Sequence, residues 1–154
     1  MKEIATIGYE GATVAGFLDA LRAHNVDLLI DVRALASSRR PGFAKTALTA
    51  NLAEAGIEYL HVRELGTPAD GRAAARAGRH DEMRRIFLAH LATPNAQEGL
   101  TRVADLVQSG RHIALMCLEA NPAHCHRRYV AEALAARMPL KVADLAVSDS
   151  WESD

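Results

Sequence analysis

The sequence predicts an α/β fold: one domain with a mostly parallel sheet of about five strands and helices on both faces. Three observations carry that prediction. Short apolar runs alternate with helix-period patterns along the whole chain, the rhythm of strand–helix–strand units. The run Ile113-Ala114-Leu115-Met116-Cys117 is continuous rather than alternating, as in a strand covered on both faces. It empties into the polar stretch Leu118-Glu119-Ala120-Asn121-Pro122-Ala123-His124-Cys125-His126-Arg127, just before a pattern in which Val130, Ala131 and Leu134 share a helix face. Open α/β sheets keep their ligand sites at such strand ends.

Taken in order, residues 4–8 form a short apolar run that ends in Gly8-Tyr9-Glu10-Gly11. Paired glycines between a strand and a helix can bring backbone N–H groups onto an anion. Neither a dinucleotide fingerprint nor a Walker loop is complete, so a plain tight turn is the stronger reading. Thr13 is placed to cap a helix whose apolar face is Val14, Phe17, Leu18 and Leu21. A second strand covers residues 27–33, with Asp31-Val32-Arg33 at its carboxyl end. Asp31 and Arg33 share a face there and could serve a ligand or simply an internal ion network.

The next loop, residues 37–43, is rich in arginine and turns at Pro41-Gly42. From Val32 to Ala53 there is no acidic residue, so Arg33, Arg39, Arg40 and Lys45 make a local basic patch suited to a phosphate or carboxylate. Ala44, Leu48, Leu52 and Ala55 mark a helix ended by Gly56, and residues 57–62 a third strand. Residues 65–78, with Gly66, Pro68, Gly71 and Gly78, read as an irregular lid or binding loop. Two helices follow, on Met83, Phe87 and Leu91 and then on Leu100, Val103 and Val107. After the central strand, a helix over residues 127–137 leads to a last strand at 141–145. The domain spans 1–147, and residues 148–154 form a polar, acidic tail expected to fray.

The 154 residues suffice for one hydrophobic core. With three Phe, three Tyr and one Trp, that core must rest on Ala, Leu, Val and Ile. A formal net charge of −1 gives no global case for nucleic acid or membrane surfaces. No apolar run approaches the ~18 residues of a membrane helix. No signal-peptide pattern precedes the first strand, and the two cysteines suit thiols better than a disulfide framework. The protein is read as cytoplasmic, with its oligomeric state open.

The chemistry gathers at the strands' carboxyl edge. Cys117 and Glu119 lie two apart on a strand and so point to one side. A carboxylate there is costly to bury alone, and Arg127 is the nearest cation in sequence to meet it. Cys125 and His126 sit where a helix N-terminus favours a thiolate or an anion. The first reading is therefore a cysteine enzyme acting on a phosphate-bearing or nucleotide-like ligand. Cys117, Glu119, Cys125 and His126 are its catalytic groups, and Cys125 is the more reactive thiol. Gly8, Tyr9, Asp31, Arg33, Arg39, Asn121 and Arg127 are its binding groups, with no cofactor and no metal. The alternatives are a nucleotide- or nucleic-acid-binding module, or a metal site on Cys117, Cys125 and nearby His124, His126 or Glu119. Those ligand types suit zinc but their spacing does not, since no Cys-x-x-Cys pair exists. Arg33, Glu119 and Arg127 are expected to converge on one pocket.

The blocks Thr6-Ile7-Gly8-Tyr9-Glu10-Gly11, Asp31-Val32-Arg33, Ser38-Arg39-Arg40-Pro41-Gly42-Phe43, Leu65-Gly66-Thr67-Pro68 with Arg72, and Met116-Cys117-Leu118-Glu119 followed by Cys125-His126-Arg127 follow one another along nearly the whole chain. In this they resemble domain-of-unknown-function family 488. The resemblance implies motif roles for Gly8, Asp31, Arg33, Cys117, Glu119, Cys125, His126 and Arg127. It brings no settled activity. The chain departs from the family pattern at Tyr9-Glu10, where the resemblance implies His-Ser, and at Asp144, where it implies histidine.

Overall fold

The computed structural model describes residues 1–147; the tail expected at 148–154 lies outside the described residues. Five parallel strands form one sheet in the order β3-β2-β4-β1-β5. They are β1 (Lys2–Gly8), β2 (Leu28–Asp31), β3 (Glu58–His61), β4 (Ile113–Cys117) and β5 (Leu140–Leu145). The helices are α1 (Val14–Ala23), α2 (Lys45–Glu54), α3 (Ala69–Arg76), α4 (His80–Leu91), α5 (Pro94–Gln108) and α6 (Arg127–Ala135). The α/β class and the strand count are as the sequence predicts.

Strand order and handedness fix the layers. The chain moves one way across the sheet from β1 to β2 to β3, then the opposite way from β3 to β4 to β5. Right-handed crossovers put the helices of the two directions on opposite faces. Accordingly Phe17 and Leu21 of α1 pack with Leu48 and Leu52 of α2 over Ile7, Leu29, Ala114 and Met116. On the other face Phe87, Leu100, Val103, Val130 and Leu134 cover Ile4, Ile30, Leu115 and Cys117. Within β4 the alternation is plain: Ala114 and Met116 face one layer, Ile113, Leu115 and Cys117 the other. Full burial on both sides explains the continuous apolar run of this strand.

The caps follow the sequence signals. Thr13 accepts a hydrogen bond from Gly16 N at 3.0 Å, and Thr93 starts α5 with Pro94 at the first helical position.

Residues 65–78 correct the sequence reading. They are not an irregular loop: a 3-10 turn (Arg63–Leu65) leads into α3, so three helices rather than two separate β3 from β4. Gly71 lies inside α3 because a side chain there would press on Thr67 and Ile86, the latter in α4. It is a packing glycine, not a helix breaker.

Candidate functional site

The site forms where β1, β4 and β2 end, beside the point at which the chain reverses direction across the sheet. Gly8 stands level with Cys117 in the parallel register. Tyr9 and Glu10 then donate their backbone N–H groups to the Cys117 and Leu118 carbonyls. Those amides extend the pairing of β1 with β4 and are not left for an anion, so the glycine-flanked turn is a tight turn. Gly8 has a structural reason: a Cβ there would overlap the Glu119 carbonyl group and press on Arg127. Backbone cannot give way as a side-chain tip can. Replacing Gly8 with Ala is expected to cost about 3 kcal/mol, the upper end of ordinary overpacking, read from the urea midpoint.

Arg127 enters the space that Gly8 leaves. Its side chain is fully buried and gives hydrogen bonds to the Glu119 and Ala120 carbonyls and to Cys117 Sγ, the last at 3.6 Å. This corrects the expected partnership. Arg127 meets the main chain at Glu119, and the described residues contain no ion pair between it and the Glu119 carboxylate. Burial pulls the guanidinium below its ordinary value, with Asp144 and Glu119 acting the other way. Glu119 itself is half-buried, and burial raises its carboxyl above the ordinary range, with a smaller push from Glu10.

Asp31 and Arg33 form a buried pair at 2.7 Å. Arg33 adds bonds to the Tyr9 hydroxyl at 3.1 Å and the Phe43 carbonyl at 2.9 Å, and Tyr59 donates to Asp31 at 2.6 Å. Burial alone would lower the Arg33 pKa, but Asp31 more than offsets it and raises the group. Tyr9 lies stacked on Phe43, 4.8 Å between ring centroids. This network ties the end of β2 to the loop that follows it.

His126 is buried against β2, its Nε2 2.7 Å from the Val32 carbonyl. A carbonyl only accepts, so Nε2 carries the proton and Nδ1 faces Cys125 Sγ at 3.9 Å. Burial lowers the His126 pKa to about 4 from 6.5. Between those values the unfolded chain binds a proton that the folded chain refuses, so stability falls as pH drops. From about pH 7 to about pH 5, reduced and metal-free wild type should lose about 2 kcal/mol more than His126→Gln. Equal losses in the two proteins, by urea unfolding, would contradict this.

The two sulfurs meet. Cys117 and Cys125 are paired as a disulfide, where the sequence reading expected separate thiols. Their Cα atoms are 7.2 Å apart, beyond the roughly 4.4–6.8 Å of relaxed bridges. Cys117 Sγ, Cys125 Sγ and His126 Nδ1 or Nε2 lie within 4.8 Å of one another. The poor spacing in sequence is thus answered by the fold.

A cleft of ≈490 Å³ opens over this corner. Arg33, Cys117, Glu119 and His126 reach its wall, as do Tyr9 and Glu10. Arg127, expected to share the pocket, does not line it, and neither do Cys125, Arg39, Asp31, Gly8 or Asn121. Arg39 is exposed in its loop, and Asn121 accepts from Ala123 N to cap a short 3-10 turn. Of the two cysteines, Cys117 borders the cleft and Cys125 does not. Thr67, Arg72 and Arg76 are absent from the catalytic and binding groups named from the sequence, although Thr67 and Arg72 stand in the family-like blocks. All three come to the cleft through α3 and the residues before it. Gly66 permits this, since a Cβ there would overlap the backbone of Ala34. The signal was available, because Arg72 and Arg76 sit four apart and so share a helix face.

A family model described as a domain of unknown function, DUF488, matches residues 13–134. The chain belongs to this DUF488 family. The matched span holds the Asp31–Arg33 pair, α3 and the Cys117-to-Arg127 segment, while β1 with Gly8 and β5 fall outside it. No curated protein and no solved structure matches the chain. Among the described residues no helix is long and apolar enough to cross a membrane.

Proposed function

We propose that, with the Cys117–Cys125 pair reduced, this DUF488 protein is an enzyme for a small organic phosphate, nucleotide-like in size, with Cys117 as the nucleophile. One observation carries the reading: Arg72 and Arg76, one turn apart on α3, line the same cleft as Cys117. Arg72 is braced by a 2.9 Å bond to the Thr67 carbonyl, and its remaining donors suit a phosphate oxygen. The cleft volume falls in the range of small-molecule sites. Leu35 and Leu118, 60% and 46% exposed, stand on its wall and would cover an apolar body such as a base. A thiolate at Cys117 would find the Arg127 guanidinium beside it. Glu119, with its raised carboxyl pKa, suits the proton donor to a leaving group. The cytoplasm, where thiols stay reduced, fits this chemistry.

A panel of nucleotides and phosphate esters screened by thermal shift tests the binding. A ligand at about one hundred times its Kd should add about 2.7 kcal/mol, or roughly 5–10 °C for a chain of this size. Arg72→Ala and Arg76→Ala should each weaken that ligand by about tenfold or more, the value of one charge-assisted hydrogen bond. If inorganic phosphate, nucleotides and sugar phosphates all leave the melting temperature unmoved, the anionic-ligand reading fails.

A further inference from the structure

We propose that, in the reduced protein, Cys117, Cys125 and His126 form a three-ligand zinc site whose fourth position opens onto the cleft. The donor set is two sulfurs and one imidazole nitrogen, the soft-to-borderline mixture that selects zinc over magnesium or calcium. Only Nδ1 of His126 is available, because the Val32 carbonyl keeps the proton on Nε2. That bond has a second consequence. Metal-bound histidines commonly donate their other N–H to a carbonyl, which fixes the ring, and here the anchor exists before any ion arrives.

Distances support the ion more than a permanent bridge. Two sulfurs on one tetrahedral zinc, each at about 2.3 Å, stand about 3.8 Å apart, against about 2.05 Å in a disulfide. The Cα separation of 7.2 Å suits the wider spacing. Cys125 Sγ and His126 Nδ1, at 3.9 Å, already have nearly the separation that shared coordination needs. Cys117 Sγ must turn away from its partner to complete the set. Arg127, 3.6 Å from Cys117 Sγ, supplies an N–H to a coordinated thiolate.

The open position follows from the walls of the cleft. Cys117 and His126 face it and Cys125 does not, so an ion among the three has protein behind it and the cleft in front. A catalytic zinc has this arrangement, three protein ligands with one place left for water or substrate. The metal would also hold Cys117 as a thiolate at neutral pH. The inference rests on the proposed function for the identity of the ligand that meets the fourth position, and on side-chain geometry alone for the metal.

The test uses the full-length wild type, reduced, stripped by chelator and titrated with Co²⁺ and then Zn²⁺. One equivalent of Co²⁺ should bind with thiolate charge-transfer absorption, and Zn²⁺ should displace it. X-ray absorption of the zinc-loaded wild type should show two sulfurs near about 2.3 Å and one nitrogen near about 2.0 Å, a readout needing no variant. Cys125→Ser and His126→Gln should each weaken the metal by about tenfold or more, while Arg72→Ala leaves metal affinity unchanged. No stoichiometric binding by the folded, reduced protein, or a zinc shell of oxygen and nitrogen only, overturns the site. If phosphate esters still bind through Arg72 in that case, the cleft reading survives without the metal. Tight metal binding without any phosphate ligand separates the two the other way.

Discussion

Replacing Asp31 with Ala is expected to cost about 3–5 kcal/mol of folding stability, the loss typical of breaking a buried ion pair on one side. The substitution strands the Arg33 guanidinium where its side chain is 7% exposed, and the lost Asp31 carboxylate was wholly buried. Tyr59 loses its acceptor at the same time. Arg33→Met should cost a similar amount, since it takes the guanidinium from the Asp31 carboxylate, leaving it the Tyr59 hydroxyl, and takes a donor from the Phe43 carbonyl. The double substitution Asp31→Ala with Arg33→Met removes both charges together. It should cost clearly less than the two singles summed, a coupling of about 0.5–3 kcal/mol for groups in contact. Urea unfolding of the four proteins reads all of this. Singles costing under about 1 kcal/mol each would mean that the pair behaves like an exposed one.

That network also shows how far the sequence could be read. The two ends of β2 and β4 were legible because their apolar runs end abruptly in charged residues. Whether Asp31 and Arg33 hold a ligand or the fold was not, since both roles need the same residues at the same strand end. Tyr9 and Phe43, remote in sequence, join Asp31 in committing most of the Arg33 fork to the protein, and Tyr59 holds Asp31 in turn. In sequence, Arg127 is the nearest cation to the Glu119 side chain. Instead the missing side chain of Gly8 brings the Glu119 carbonyl close to β1, and Arg127 bonds that carbonyl.

The largest departure was α3. A segment with Gly66, Pro68, Gly71 and Gly78 shows breakers and little apolar periodicity, so local propensity argues for a loop. Packing overrides it, because the small residues Gly71 and Ala74 let α3 lie close against α4. Arg72 and Arg76 were lost to the site with that helix. Which cysteine borders the cleft is hidden from the sequence for a related reason. Cys117 reads as interior to an apolar strand, but it is the last residue of β4 and meets the cleft, whereas Cys125 turns in behind it.

The order of thiol reactivity therefore tests the account at its centre. Reduced, metal-free protein is treated with iodoacetamide at neutral pH, quenched at intervals and mapped by peptide mass spectrometry. Cys117 is 2% exposed but borders the cleft, and Cys125 is fully buried without reaching it. Alkylation of Cys117 should lead that of Cys125 by about an order of magnitude, since access then governs the rate. A phosphate ester bound at Arg72 and Arg76 should slow Cys117 and leave Cys125 as it was. Cys117→Ser should remove the fast phase and any turnover of that ester. Fast labelling at Cys125, or labelling at Cys117 that no anionic ligand slows, would contradict a nucleophile facing an anion-binding cleft.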